Sequence, residues 1–527
     1  MRGPVALLCA ILTFAGAVQA ETLLQRGNRY DPASLDPHKY NTTYEAAIIL
    51  DLFEGLTAFG PDAQPRPGVA ESWTASADGK TWAFRLRPGL RWSDGGLLTA
   101  SDVVYSFRRL MDPKTAAVYA SLMYILKNGR LVNTGAVSPD QLGVTAPGPD
   151  TVVISLDAPA PYLPQLLANA FLAVVPQHAV KKTGPAWTKP ENMISNGAFG
   201  LKEWTPQNRV VLARNPRFHD AREVHLDGVV YTPTSDLAAA VVRFRAGELD
   251  TQLDLPGAQI ELLRRQLPGE IRITPSLVTY YLALNTTVPK LADPRVRRAL
   301  SMAIDRDVLA DKVLRTGDIA ATGWVPPAIS NYEPARMPFV DESADRRLAQ
   351  ARALLTQAGY GPGHPLQLTY SHSNVADIKR IAVAIAAMWK RVGVECALLG
   401  TEGKVHFANL RQGNFEVGYA GWTADFDDAG TFLGALQSNS ASNYSRYKNA
   451  LYDALVTQVS QAAEPRVRAE LLHQAEVMML ADQPIVPLMV GASKSLVSRR
   501  VQGWQPNPLS VSLSRYLSVD RGGPSPQ

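Results

Sequence analysis

The sequence predicts an α/β protein built in more than one lobe, and three observations carry that reading. At 527 residues the chain exceeds what one hydrophobic core organises, so two or three lobes are expected. Its first half mixes strand-like alternation, turn chemistry and short amphipathic runs in α+β fashion. Its later half alternates strand and helix at lengths that require a parallel sheet with right-handed crossovers.

Taken in order, residues 1–20 read as an export signal. Arg2 precedes the apolar run Val5 to Val18, and Val18-Gln19-Ala20 fits the small-x-small rule, so cleavage is expected after Ala20 and the protein is expected in the periplasm. The run is too short to span a bilayer, and Leu8 is too bulky for a lipobox at Cys9. Cleavage leaves Cys396 alone, which excludes an intrachain disulfide; its strand-like surroundings, Gly393 to Leu399, mark it as an inert thiol. Apolar residues make up 46% and charged residues 19%, as in ordinary soluble proteins. The net charge of +5 is too dilute for a nucleic-acid partner, and no basic stripe is interleaved with aromatics.

The mature chain begins with Leu23 to Asn28, and a helical pattern follows from Thr43 to Phe53, closing at Gly55. Thr81 to Leu86 alternates as a strand, and Trp92 to Gly96 supplies turn chemistry. Thr99-Ala100-Ser101-Asp102 resembles a capping box ahead of the amphipathic run Val103 to Met111. Thr151 to Leu156 is a further strand and Tyr162 to Phe171 a short helix. In the later half, Asp293-Pro294 gives an N-cap and first-turn proline, and Val296, Leu300, Ile304, Val308 and Leu309 form one apolar face up to Gly317. A helix near Asp345 to Ala358 ends at Gly359. Strand Leu366–Tyr370, helix Ala376–Arg391, strand Val394–Leu399, helix Gly403–Leu410 and strand Phe415–Tyr419 then follow.

That last strand breaks at Gly421-Trp422 and leads into three acids, Asp425, Asp427 and Asp428. Glycine lets another backbone approach, tryptophan offers a flat apolar wall, and ligands of parallel sheets bind outside the carboxyl ends of the strands. An acid here is placed to meet a cation; a solvated loop acid or helix N-cap is the alternative. Support for catalysis is thin: the sequence has no His-Glu-x-x-His, no Gly-x-Ser-x-Gly elbow and no P-loop. His219 and His225 are a scattered pair, and the acids lack calcium-loop spacing, so neither metal nor cofactor is expected.

A run of short segments carries a family likeness across nearly the whole mature chain. They include Ser34-Leu35-Asp36-Pro37-His38, Asp51-Leu52-Phe53-Glu54-Gly55-Leu56, Pro67-Gly68-Val69-Ala70-Glu71-Ser72-Trp73 and Trp92-Ser93-Asp94-Gly95. Asn196-Gly197-Ala198-Phe199, Thr279-Tyr280-Tyr281, Asp293-Pro294-Arg295-Val296-Arg297 and Gly421-Trp422-x-Ala424-Asp425 continue it. In this the sequence resembles the periplasmic oligopeptide-binding proteins, the solute-binding components of ABC peptide importers. The resemblance implies a periplasmic-binding-protein fold, two lobes joined by a two-segment hinge plus an extra α+β domain. One lobe would come from 21–54, 180–280 and 490–527, the extra domain from 55–179, and the opposing lobe from 281–489. It implies a short peptide as ligand, ABC permease subunits as partners, and a monomer.

Residue by residue, the resemblance assigns Asp425 to the peptide's N-terminal ammonium. Gly421 and Thr43 fall on strands whose backbones pair with an extended peptide. Tyr119 and Trp422 fall on pocket-lining aromatics, with Tyr281 as a further wall and Thr423 beside them. Positions where relatives place arginines for the peptide's C-terminal carboxylate hold Leu410 and Tyr419 in this chain. Either Lys404, His406, Arg411 or water neutralises that carboxylate, or the ligand places none there. Murein tripeptide or dipeptide is thus an alternative cargo. A nickel chelate, haem or oligosaccharide within the same fold, or a secreted hydrolase, are more distant readings.

Overall fold

The computed structural model describes residues 21–330 and 332–520; the expected export signal with Cys9 lies outside the described residues. One eleven-stranded mixed sheet runs through the molecule. Two long strands, Ile271–Leu284 and Ile485–Val497, pair antiparallel at its centre and pass from one side of the protein to the other. Flanking them on one side are Thr251–Leu253, Leu23–Asn28, Gly228–Pro233, Arg209–Arg214 and Phe199–Thr205. On the other side lie Val417–Thr423, Leu366–Ser373 and Val394–Thr401, and the short strand Ile319–Ala320 pairs with Ile485–Val497 off this path. Leu282-Ala283-Leu284 and Ile485 to Val490 are buried throughout, as expected for strands covered on both faces.

The apolar cores follow this division. One cluster gathers residues between Leu24 and Tyr231 with Val497, Val501, Leu517 and Val519; a second gathers residues from Leu277 to Met489. A separate four-stranded sheet of Ala70–Ala75, Thr81–Leu86, Thr151–Ser155 and Val144–Gly148 joins the first cluster, under the helix Ala100–Met111. The capping box of that helix forms, Asp102 Oδ2 accepting the Thr99 N–H at 3.0 Å. In the later half, Leu366–Ser373 runs parallel to both Val394–Thr401 and Val417–Gly418, and helices Ala376–Lys390 and Gly403–Gln412 make the crossovers. Left-handed Gly359 (φ 90°) and Gly393 (φ 84°) follow their helices. The mixed α/β fold is the one expected.

Three elements differ from expectation. The helix from Pro294 stops at Met302, and Asp305 caps a new turn by accepting the Val308 N–H at 3.1 Å. The break arises because the buried guanidinium of Arg306 turns back on the carbonyls of Ser301 and Ile304, competing with the helical ladder. Tyr162–Phe171 is only one α-turn, Leu163–Leu166, then a 3₁₀ turn at Ala170–Leu172. The strand expected at Phe415–Tyr419 runs instead from Val417 to Thr423, through Gly421-Trp422, because Val278–Leu284 holds it in register along its whole length.

Candidate ligand-binding cleft

The cleft is built on the strand Val417–Thr423. Its backbone pairs with Val278–Leu284 on one side, but with Leu366–Ser373 on the other only at Val417 and Gly418. The Ala424 N–H donates to the Leu277 carbonyl at 2.8 Å, so even-numbered residues exchange hydrogen bonds with the crossing strand. Odd-numbered residues therefore turn their N–H and C=O groups toward the open side. There the Tyr419 carbonyl accepts from buried His406 Nε2 at 2.7 Å, while Gly421 and Thr423 have no strand opposite them. This is a short free edge of the kind an extended chain extends.

Side chains alternate in the same way. Thr423, Gly421 and Tyr419 share a face with Val278, Tyr280 and Leu282, their cross-strand partners. Two cavities open on this face, of about 570 and about 580 Å³, sharing Val278, Tyr280 and Thr423. The first also holds Thr43, Tyr119, Phe171, Lys494 and Asp425; the second holds Tyr419, Gly421, Phe407, Ile378 and Glu402. The rings of Tyr280 and Tyr419 lie nearly parallel, 6.2 Å apart at 17°. Burial pushes both phenols up in pKa, so they stay uncharged.

Asp425 lies two residues past the strand, exposed on the cleft wall. It has no hydrogen-bond or ion-pair partner among the described residues, whereas its neighbours are committed to structure. Asp427 accepts the Ser330 N–H at 2.8 Å, and Asp428 holds Arg468 through both oxygens at 2.7 Å and accepts the Gly430 N–H. Although solvent reaches it, the surrounding protein desolvates Asp425 and raises its pKa. A carboxylate so placed gains from an incoming cation.

On the opposite wall, Thr43 stands in the first turn of the helix Thr43–Leu52, not on a strand. A capping box causes this. Glu45 accepts the N–H groups of Ala33, Ser34, Asn41 and Thr42 at 2.9–3.1 Å, folding the chain into a helix start at that point. Thr43 can therefore offer a first-turn N–H, but no ladder for strand pairing. Tyr119 lines the first cavity, wedged between Tyr40 (5.2 Å) and Phe171 (5.4 Å).

Three expected residues lie elsewhere. Tyr281 is 2% exposed and edge-on to Trp324 at 4.9 Å, because its position in the strand points it into the second core; Tyr280 is the wall. Trp422 shares the parity of Ala420, faces the same core half-buried, and lines neither cavity. Leu410 is fully buried on the inner face of Gly403–Gln412, beneath Gly418. Of the cations that could meet a carboxylate, His406 is buried with burial lowering its pKa, and Lys404 and Arg411 line neither cavity. Tyr280, Phe407, Ile378, Glu402 and Lys494 join the lining: strand register turns Tyr280 to the cleft, the helices Ala376–Lys390 and Gly403–Gln412 bring Ile378, Phe407 and the N-cap Glu402, and Lys494 stands on the other crossing strand.

Two lobes bridged by two crossing strands, with an unpartnered acid and a free strand edge in the cleft between them, make a clamp-type binding protein. Residues 64–444 match the model of the bacterial extracellular solute-binding proteins, family 5 (middle), and the chain belongs to that family. It is 37% identical over 519 residues to the periplasmic murein peptide-binding protein MppA of Escherichia coli (strain K12), covering 96% of each chain. It superposes on the unliganded open form of the murein tripeptide-binding protein MppA with a TM-score of 0.88 at 36% identity, covering 95% of this chain and 98% of that one. Against Haemophilus influenzae OppA in complex with RPPGFSPFR the TM-score is 0.75 at 32% identity, covering 95% and 99%.

Proposed function

We propose that this chain captures short peptides in the periplasm by their N-terminal amine and backbone, closes around them and delivers them to an ABC permease. The single observation that carries this is Asp425, a desolvated carboxylate without a partner among the described residues, at the end of a free strand edge. An ammonium meeting it makes a charge-assisted hydrogen bond, and the backbone of Gly421 and Thr423 pairs with the peptide without reading its side chains. The lobes in this reading are 21–54, 180–280 and 490–527 for the first, 55–179 for the added α+β domain and 281–489 for the opposing lobe. The protein acts as an exported monomer whose signal is cleaved after Ala20, and it returns its ligand chemically unchanged.

The likeness to an unliganded open form supports an open resting state. A ligand shifts the balance toward closure only through contacts that improve in the closed form, and Asp425 with the facing helix start at Thr43 supplies them. Murein tripeptide or dipeptide is the second reading, favoured by the similarity to the MppA protein and by Leu410 and Tyr419 at the positions where the family likeness implies arginines. Calorimetry with a free-amine tripeptide and its acetylated counterpart tests the amine anchor: the acetylated form is expected to bind far more weakly, and equal binding rejects it.

A further inference from the structure

The cavity of about 580 Å³ beside the free edge has a chemistry of its own. Val278, Val375, Ile378 and Phe407 give it apolar walls, and the parallel rings of Tyr280 and Tyr419 give it a floor. Gly421 contributes no side chain there. Val375 is 53% and Phe407 37% exposed, so apolar surface stands open to water inside the cleft until something covers it.

Among the described residues no lysine or arginine lines this cavity. The one charged lining residue among them is Glu402, exposed, whose Oε2 accepts the N–H groups of Lys404 and Val405 at 2.9 and 3.3 Å. The adjoining cavity has two cations, and both are engaged. Lys494 Nζ holds Asp318 at 2.9 Å, and buried Arg26 donates to Ser512 and Ser514 at 2.7 and 2.8 Å. The helix Ala376–Lys390 opens toward the cavity without a side-chain cap, a feature that attracts anions, and its first-turn Asp377 is ion-paired with Arg380 at 2.6 Å, so neither side chain stands as a free charge there. A carboxylate entering here loses water and meets no cation.

We infer that this cavity receives an uncharged apolar group of an amine-bearing ligand, an aromatic or branched aliphatic side chain or an uncharged terminus, and rejects a carboxylate. The inference rests on the reading of Asp425 as the amine anchor. Because the two cavities share Val278, Tyr280 and Thr423, one ligand spans both.

The test is calorimetric titration with free-amine peptides of two to five residues ending in phenylalanine, each as acid and as amide, with acetylated peptides alongside. At the length whose terminus reaches the cavity, the amide is expected to bind about tenfold or more tightly than the acid. Val375→Arg, an exposed substitution whose folding an unchanged melting temperature verifies, supplies the missing cation and is expected to remove or reverse that preference. Acids binding as tightly as amides at every length overturn the inference. So does an amide preference that Val375→Arg leaves untouched, because selection then arises elsewhere. The acetylated peptides report on the anchor alone: if acetylation abolishes binding while acids match amides, Asp425 keeps its role and the cavity does not select against carboxylates.

Discussion

The ring of Tyr280 lies against the backbone of Gly421, so closely that a β-carbon at 421 would stand 3.0 Å from its Cδ1 and 3.2 Å from its Cε1. Gly491, on the other crossing strand, bounds the ring's far edge, where a β-carbon would stand 3.0 Å from Cε2. Tyr280 thus lies in a trough between two positions without side chains and forms the floor common to both cavities.

Gly421→Val is expected to tilt that ring and crowd the free edge. Peptide affinity should fall by about tenfold or more, with a stability loss of about 1–3 kcal/mol from overpacking. Calorimetry and urea unfolding read the two effects separately, and unchanged affinity would show that no backbone approaches 421.

If Asp425 anchors the ligand's amine as proposed, Asp425→Ala is expected to weaken a free-amine peptide by about 3–5 kcal/mol, or about 10²–10⁴ in Kd, because it would remove the partner of an ammonium enclosed on closure. The unliganded protein should be no less stable, since Asp425 supports no other group. Its raised pKa sets the sign of the pH effect. The folded-state carboxyl takes up its proton at higher pH than an unfolded one, so this group's contribution is largest below the unfolded value and is lost as pH rises through the folded value. Binding runs the other way: the ammonium needs the ionised acid, so affinity should begin to fall on acidification above the ordinary aspartate range. A loss below fivefold for the variant would reject the anchor.

Tyr280 and Tyr281 should separate function from stability. Tyr281→Ala opens a cavity beside Trp324 and is expected to cost about 3–5 kcal/mol in unfolding with little change in affinity. Tyr280→Ala should weaken binding with a smaller loss of stability. Paired denaturation and titration curves check both, and the reverse pattern would exchange their assignments.

The packing around His38 should be acid-sensitive. This fully buried ring accepts from Arg109 at 2.7 Å through Nδ1, and burial, reinforced by the guanidinium charge, lowers its pKa to about 3. Unfolded, it protonates near the ordinary value of about 6.5. Stability from this group is therefore full above that value and drains away as pH falls from about 6.5 toward about 3. Asp36 adds a further loss at lower pH. Burial alone would raise its pKa, but hydrogen bonds to Arg109 and the positive charge around it hold it below the usual range. Its contribution is present at neutral pH and is lost as pH drops through its lowered value. His38→Gln is expected to flatten the fall of the urea midpoint between pH 7 and pH 4.5, and an unaltered slope would contradict this.

Local signals in the sequence were legible where neighbours in the chain decide the structure. The Thr99–Asp102 capping box, the glycine stops at 359 and 393, and the strand-helix alternation after residue 366 all follow from nearby residues. Cleft parity was not legible, because a one-residue shift in strand register turns every side chain over. The pair Tyr280-Tyr281 presents two equal aromatics to a reader of the sequence, and only pairing with Gly421 and Ala420 decides which meets ligand. The same pairing carries the strand through Gly421-Trp422, a dipeptide that reads as a break. Thr43 is helical through Glu45, three residues beyond the cap, in keeping with the helical pattern that starts at Thr43 and not with the strand that the family likeness implies. Asp425 stands out from its sequence context, yet its isolation from Asp427 and Asp428 depends on Ser330 and Arg468, far away in the chain.

The two crossing strands make the junction between the lobes a hydrogen-bonded ribbon. Its register slips between Pro275 and Thr279 and again between Tyr280 and Tyr281, and Ser276, Leu277 and Val278 within the first slip line the cleft. Rotation of one half against the other would therefore twist this ribbon along its irregular stretch, as a torsion bar rather than a loose joint. Cargo resting on those three residues would touch the pivot itself, so occupancy and elastic recoil would be felt at one place, and stiffening the slip should slow both capture and release.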